Sequence, residues 1–384
     1  MVRHLSNSGR VRNRYHVMVK PGGPICNLDC SYCYYLSKTE LYPDKNKFRM
    51  SERLLEKFVR SYIASHPGPN VVFPWHGGEP TILGLDFFKQ AVALQQKHLP
   101  SGWKCINVPQ TNGTLLDEKW CEFFAENGFA IGISLDGPAE FHDLCRPDKR
   151  GKPTHDRTMA ALRMLLEYDV PTSVLCTVNN QNAKAPLEVY RFFREQGVTS
   201  MQFLPIVCSL EDGKVSEQTV AAVEYGRFLT AIFEEWLSHD VGVVWVQIIE
   251  ECLAKHRGNS GSLCLYQEKC GDSMAMEHNG DLYACDHFVM PEWKLGNLKE
   301  RTMKSMVESP KMKGFARGKK TSLPAFCLAC NVKFMCNGGC PKDRFIAAPD
   351  GEPGLNYLCE GLGQFFRHTQ GRLTTLLSDS QQER

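Results

Sequence analysis

The chain has no hydrophobic run long enough to cross a membrane. Its apolar stretches, such as Val241–Ile249, fall well short of a span. No apolar segment follows the basic residues Arg3, Arg10, Arg12 and Arg14, so a secretory signal in its usual form is not expected. Charge of one sign is not in excess either. The net charge is +2 at pH 7, which removes the global electrostatic case for nucleic acid or a membrane as partner. No complete unit repeats, and no segment is of low complexity. Residues 1–14 are read as a basic, solvated tail.

Cysteine, in contrast, is abundant, with 17 in 384 residues. The count is odd, no secretory signal is expected, and the chain is far larger than disulfide-dense domains usually are. Metal or cluster ligation in a reducing cytoplasm is the favoured reading. Hydrophobic residues at 42% and charged residues at 23% are ordinary for a globular protein with a sizeable core.

The first two thirds of the chain alternate between two patterns. Tyr15–Lys20, Val71–Trp75, Cys105–Thr111, Ala130–Leu135, Thr172–Val178 and Ser200–Val207 read as short buried strands. Between them lie the amphipathic stretches Ser51–Ala64, Leu85–His98, Asp117–Asn127, Thr154–Tyr168 and Pro186–Gln196, and Glu217–Ser238 follows the last strand. Asp117 is the expected N-cap of its helix, and Gly128 and Gly197 mark helix ends. This alternation predicts an α/β fold with a parallel sheet, open or curled into a partial barrel, whose active site lies at the carboxyl ends of the strands. After residue 240 helical periodicity fades, and the cysteines from Cys264 to Cys359 crowd together with Gly and Pro. A second domain held by metal is expected there, closed by an amphipathic stretch, Leu362–Leu377, that packs back on the body. The expected boundaries are 1–14, 15–240 and 241–384.

Cys26, Cys30 and Cys33 form C-x3-C-x2-C in the loop after the first strand. Three thiolates so spaced can hold three corners of an iron–sulfur cubane and leave the fourth iron open. Three ligands of a zinc site are the alternative on spacing alone. The segment reads C-N-L-D-C-S-Y-C-Y-Y, and Gly77-Gly78-Glu79-Pro80 ends the next strand. Together these resemble the radical S-adenosylmethionine (SAM) superfamily. The resemblance implies that Cys26, Cys30 and Cys33 hold a [4Fe-4S] cluster whose open iron binds SAM. It also implies that Gly77, Gly78, Glu79 and Pro80 contact the cofactor's amino group, with Glu79 as a carboxylate acceptor. Gln110-Thr111-Asn112-Gly113 and Gly132–Pro138 resemble other strand-end segments of that family, with Ser134 near the cofactor. Asp136 reads better as a turn residue before Gly137-Pro138. His142 and Arg146 could reach the cofactor carboxylate or the substrate, or equally belong to a solvated loop, and Arg146 is kept as a binding candidate.

Downstream, Cys270, Gly280 and Cys285 give C-x14-C with G-x4-C inside it, and Cys327, Cys330, Cys336 and Cys340 give C-x2-C-x5-C-x3-C before Cys359. This series resembles the SPASM domain. The family pattern implies two auxiliary [4Fe-4S] clusters, one on Cys264, Cys270, Cys285 and Cys340, the other on Cys327, Cys330, Cys336 and Cys359. Spacing alone allows instead a zinc ribbon on Cys327, Cys330, Cys336 and Cys340. Cys105, Cys121, Cys145, Cys176, Cys208 and Cys252 are left over, and most are read as small buried hydrophobes.

Over nearly the whole chain the motifs resemble those of anaerobic sulfatase-maturating enzymes. The fold this implies is a partial (β/α)6 barrel followed by a cysteine-rich SPASM domain. The implied activity is oxidation of a Cys or Ser in a C/S-x-P-x-R segment of a sulfatase to Cα-formylglycine, begun when a 5′-deoxyadenosyl radical takes a Cβ hydrogen. Asp286, directly after Cys285, matches the catalytic base, with a turn residue beside the cluster as the bland alternative. Tyr35 and His76 fall at substrate-side positions. Flavodoxin or ferredoxin is the expected type of electron donor, with neither nucleic acid nor a membrane as partner. The nearest rival is a SPASM enzyme that cross-links a ribosomal precursor peptide.

Overall fold

The structure is a computed structural model that describes residues 15–42, 48–210, 213–271 and 273–382. The basic tail read at 1–14 lies outside the described residues. Among those described, the strands are β1 (His16–Lys20), β2 (Asn70–Trp75), β3 (Lys104–Thr111), β4 (Ile131–Ser134), β5 (Thr172–Val178), β6 (Ser200–Pro205), β7 (Trp245–Val246), β8 (Ser273–Glu277), β9 (Asp281–Tyr283), β10 (Lys294–Asn297), β11 (Ile346–Ala347) and β12 (Pro353–Leu355). The chain forms two compact units. The first gathers residues up to Ser134, Asp143–Ser173 and Gly271–Ala316, and the second gathers Leu135–His142, Val174–Cys270 and Arg317 onward. The second domain expected from residue 241 is thus divided between them.

In the first unit the strand order is β10-β9-β8-β1-β2-β3-β4. β1 pairs in parallel with both β2 and β8, and β2–β3 and β3–β4 are also parallel. β9 runs antiparallel to its neighbours. Alternation in β2 sends Val71, Phe73 and Trp75 inward, each fully buried. They meet Phe58 and Tyr62 of the helix Glu52–Ala64 and Phe88 of the helix Leu85–His98. Trp75 satisfies its ring N–H on Asn107 of β3 at 2.8 Å, which a buried indole requires. Ser51 caps the first of these helices, and Asp117 caps Glu118–Glu126 by accepting from the Trp120 N–H.

In the second unit β5, β6 and β7 are parallel in that order. The C-terminal helix Cys359–Gln382 packs on the helix Ala222–His239 through Gly361 and Gly226. A Cβ at Gly361 would stand 1.7 Å from the Ala222 carbonyl oxygen, so only glycine permits this approach. Where periodicity had faded, the longer helices before the C-terminal one are Gln247–His256 and Pro310–Thr321. The first is short and buries Ile248, Ile249, Cys252 and Leu253, too brief a pattern to stand out in the sequence.

Candidate active site

The loops that follow β1, β2 and β3 and the last residue of β4 come together at the carboxyl ends of the parallel strands. Cys26, Cys30 and Cys33 lie on the first loop, all half-buried. This loop is fastened at its far side, where the Asp29 N–H donates to Pro147 and the Ser31 N–H to Cys145. On its near side Asn112 donates to Asn27 at 2.9 Å and reaches the Cys26 sulfur at 3.8 Å.

Gly77 and Gly78 bring the second loop against the first. Gly77 has φ +124°, and the Gly78 and Glu79 N–H groups donate to the Gly23 and Ile25 carbonyls at 2.9 and 2.8 Å. A Cβ at Gly78 would stand 2.0 Å from the Ile25 oxygen, so a side chain there is excluded by backbone. Pro80 is buried and opens the short turn Pro80–Leu83.

Glu79 is almost fully buried and accepts four hydrogen bonds. Oε1 takes the Thr81 N–H, the Thr81 hydroxyl and the Thr111 hydroxyl, and Oε2 takes the Asn112 N–H. Burial pushes its carboxyl up, and these donors pull it back. Three of these donors share Oε1, whereas Oε2 takes one and keeps a second lone-pair site. The Glu79 carboxylate ties the loops after β2 and β3 together. Ser134 accepts from Gln110 at 2.9 Å, and the Arg146 guanidinium lies 5.4 Å from the centre of the Tyr32 ring, between Cys30 and Cys33 in sequence. Asp136 accepts from both the N–H and the hydroxyl of Thr177 and donates its own N–H to His142, an anchoring role within the second unit.

Asp286 begins a short turn after Cys285 and is 9% exposed. One carboxylate oxygen is paired with the Lys20 ammonium, and the other accepts from the Tyr34 hydroxyl. Lys20 ends β1, is fully buried, and sits 3.4 Å above the Tyr35 ring. Tyr35 in turn donates to Glu277 at 2.6 Å. Burial opposes the charge on Asp286, but Lys20, His76 and His287 outweigh it and hold the carboxyl well below its ordinary range. Burial lowers the His76 pKa, partly offset by Asp286. Sequence reasoning named Tyr35, His76 and Asp286 but not Lys20, Tyr34 or Glu277. The one available signal was a lysine closing an otherwise apolar strand.

In the second unit a cavity of about 480 Å³ is lined by Cys327, Cys330, Cys336 and Cys359 together with Ile346, Leu355 and Tyr357. Cys340 instead lines a much smaller one beside Tyr225 and Tyr266. Four thiols around a volume suit a multi-iron core. Among the described residues no three His, Cys, Asp or Glu side chains converge on a point that could hold a single metal ion. Burial pushes the Cys336 thiol up to about 11 and Cys359 up to about 12, so ligation itself has to displace their protons. Cys264 and Cys270 lie in the second unit and Cys285 in the first. Of the leftover cysteines, Cys121, Cys145, Cys176 and Cys252 are buried, while Cys105 and Cys208 are half-buried.

Residues 21–193 match the family model of the radical SAM superfamily, and residues 264–331 match that of the iron–sulfur cluster-binding SPASM domain. Together they define a radical SAM enzyme with an auxiliary-cluster domain. The chain is 45% identical to the serine-type anaerobic sulfatase-maturating enzyme of Bacteroides thetaiotaomicron, over 92% of this chain and 89% of that one. It is 31% identical to the cysteine-type enzyme of Clostridium perfringens, over 94% and 98%. A solved structure described as native anSMEcpe with bound AdoMet and Kp18Cys peptide superposes with a TM-score of 0.86 at 31% identity, covering 95% of this chain and 99% of that one. The chain therefore belongs to the anaerobic sulfatase-maturating enzymes, radical SAM proteins that use SAM and three [4Fe-4S] clusters. Its fold class is the α/β radical SAM barrel with a SPASM domain expected from the motifs.

Proposed function

We propose that this enzyme oxidises a Ser or Cys side chain of a sulfatase to Cα-formylglycine. The likeness to a serine-type maturase at 45% identity over nearly the full chain carries this reading. Identity falls to 31% against the cysteine-type relative, which favours serine as the preferred target. In this reading Cys26, Cys30 and Cys33 hold the cluster with the open iron, and Gly77, Gly78, Glu79, Pro80, Ser134 and Arg146 frame SAM. Glu79 orders the loops that do so. Cys264, Cys270, Cys285 and Cys340 hold one auxiliary cluster, and Cys327, Cys330, Cys336 and Cys359 the other. The cavity common to the latter four supports that choice over a local zinc ribbon ending at Cys340.

When bound, these groups supply a radical able to take a hydrogen atom from Cβ of the target and an acceptor for the electron that follows. The remaining work belongs to side chains. Asp286 takes the hydroxyl or thiol proton as general base, while Lys20 and Tyr34 fix its two oxygens. Each oxygen keeps a second lone-pair site for the substrate proton. A base weakened by Lys20 is adequate, because a hydroxyl beside a carbon radical is far more acidic than the parent alcohol. His76 and Tyr35 line the substrate side of this carboxylate. A flavodoxin or ferredoxin feeds the clusters, and the cytoplasm provides the reducing setting. Among the described residues no helix is long and apolar enough to cross a membrane.

The test is anaerobic incubation with reductant, SAM and peptides carrying Ser or Cys followed by x-Pro-x-Arg. A loss of about 2 mass units from the Ser peptide, or about 18 from the Cys peptide, marks the aldehyde. SAM cleavage with neither peptide altered, together with cross-linking of a ribosomal precursor peptide, would move the protein to the rival class.

A further inference from the structure

Two cations in the second unit have no part in the chemistry above. Lys319 is 1% exposed. Its ammonium donates to the carbonyls of Cys264 at 2.8 Å and Leu265 at 2.7 Å. Arg344 is half-buried and donates to the carbonyls of Gly338, Asn337 and Gly339 at 2.9, 3.0 and 3.3 Å. Those three residues are the whole link between Cys336 and Cys340. A further guanidinium N–H reaches the Lys319 carbonyl at 2.7 Å and the Ser322 hydroxyl at 3.2 Å, which joins the two cations into one structure.

Neither cation has a carboxylate partner among the described residues. Lys255, close by, makes the contrast. It also donates to backbone carbonyls, at Tyr266 and Met335, yet it is accompanied by Glu251 at 3.9 Å. A buried ammonium without a counter-charge is expensive. The sulfurs of Cys270, Cys264 and Cys340 act electrostatically on Lys319, as does the like charge of Arg344. The sulfurs of Cys327, Cys270, Cys336 and Cys340 act in the same way on Arg344. In the ligand assignment above, a thiolate-ligated iron–sulfur core would supply the counter-charge for both cations.

We propose that Lys319 and Arg344 are fixed positive charges that raise the reduction potentials of the auxiliary clusters and so favour uptake of the substrate's electron. The proposal rests on the ligand assignment given above. The balance of the reaction asks for this bias. Oxidation of the alcohol or thiol removes two electrons and two protons. One of each leaves together as a hydrogen atom, the second proton goes to the base, and the second electron enters an auxiliary cluster. A thiolate-bound cluster becomes more negative by one unit on taking that electron, so a nearby cation stabilises the reduced form more than the oxidised one. Hydrogen bonds and charge just outside the ligands are an established means of tuning such centres. Position also divides the labour. Lys319 holds the backbone at Cys264, assigned to the first auxiliary cluster, whereas Arg344 holds the link between Cys336 and Cys340, which are assigned to one cluster each.

The experiment is an EPR-monitored redox titration of the full chain carrying Cys26→Ala, Cys30→Ala and Cys33→Ala, so that only auxiliary clusters contribute. In that background Lys319→Gln keeps a hydrogen-bond donor but no charge. It should lower one midpoint potential so that the reduced-to-oxidised ratio at fixed potential falls about tenfold, equivalent to about 59 mV for one electron. Lys319→Arg should restore the potential. Ser322→Asp leaves both cations in place but puts a carboxylate beside Arg344 at an exposed position, and should lower both midpoints. It decides the matter if Lys319→Gln fails to assemble. Unchanged midpoints in fully loaded variants overturn the charge proposal. An iron content well below about eight in the cysteine background overturns the ligand assignment instead, so the two failures are distinguishable.

Discussion

Replacing Lys20 with Met asks how far the Asp286 carboxylate depends on one buried cation. Lys20 is fully buried, pairs with Asp286, and stands opposite Glu277 in the β1–β8 register. Met fills similar space without charge, so the buried Asp286 carboxylate loses its paired ammonium. Removing one member of a buried pair costs roughly 3–5 kcal/mol. If Asp286 absorbs this by protonation, the energy corresponds to an upward displacement of roughly 2–4 pH units in its titration. In the wild type the carboxyl is held below its ordinary range. Its contribution to stability is then present above the ordinary carboxylate pKa and is lost only as pH falls through the depressed value. In Lys20→Met the largest charge that opposes burial is gone, so the carboxyl ionises at higher pH. Formylglycine production should then climb with pH over a range in which the wild type is flat, while SAM cleavage stays nearly constant. The assay follows aldehyde and 5′-deoxyadenosine together under anaerobic conditions, with iron content confirming that the variant is loaded. A flat profile and a wild-type ratio of aldehyde to deoxyadenosine in loaded Lys20→Met would refute the reasoning.

Asp286→Asn keeps the size of the side chain but cannot take a proton, so aldehyde formation should fall by roughly two or more orders of magnitude while SAM cleavage continues; product mass and deoxyadenosine yield measure both. Replacing Cys26, Cys30 and Cys33 together with Ala should abolish reductive SAM cleavage and leave about eight irons bound, read by iron analysis and chromatography. Gly78→Ala drives a methyl group into the Ile25 carbonyl and has to displace the loop bearing Cys26, so SAM affinity measured by equilibrium dialysis should fall by at least tenfold, about 1.4 kcal/mol. Cys359→Ala should lower the iron content by about four, whereas iron unchanged from the wild type together with about one zinc per chain would return the local zinc-ribbon pattern to consideration.

Much of this enzyme is carried by short-range pattern. Cys26, Cys30 and Cys33 share one loop, so their spacing alone brings them together whatever surrounds them. The strands and helices of the first two thirds follow from alternation of period 2 and 3.6, and the Asp117 cap from the chemistry of a short carboxylate before a helix. The motifs with Gly77–Pro80 and the later cysteines were enough to indicate the family. The environment of the chemistry was not legible in this way. Lys20 reads as the last residue of a strand, and nothing near it announces a buried ammonium. It meets Asp286 because β8, far downstream, adds in parallel to β1 with Lys20 opposite Glu277. Glu79 reads as a free acceptor, yet its donors come from the end of β3 as well as from its own loop. Cys340 follows Cys336 closely enough to share a site with it, but Cys359, brought in at the start of the C-terminal helix, lines the cavity that Cys340 does not. Sequence spacing reports which groups are near along the chain. The partner of a buried charge or the fourth thiol of a site is selected by strand order and helix packing, where contacts between distant segments decide which polar groups lose water together.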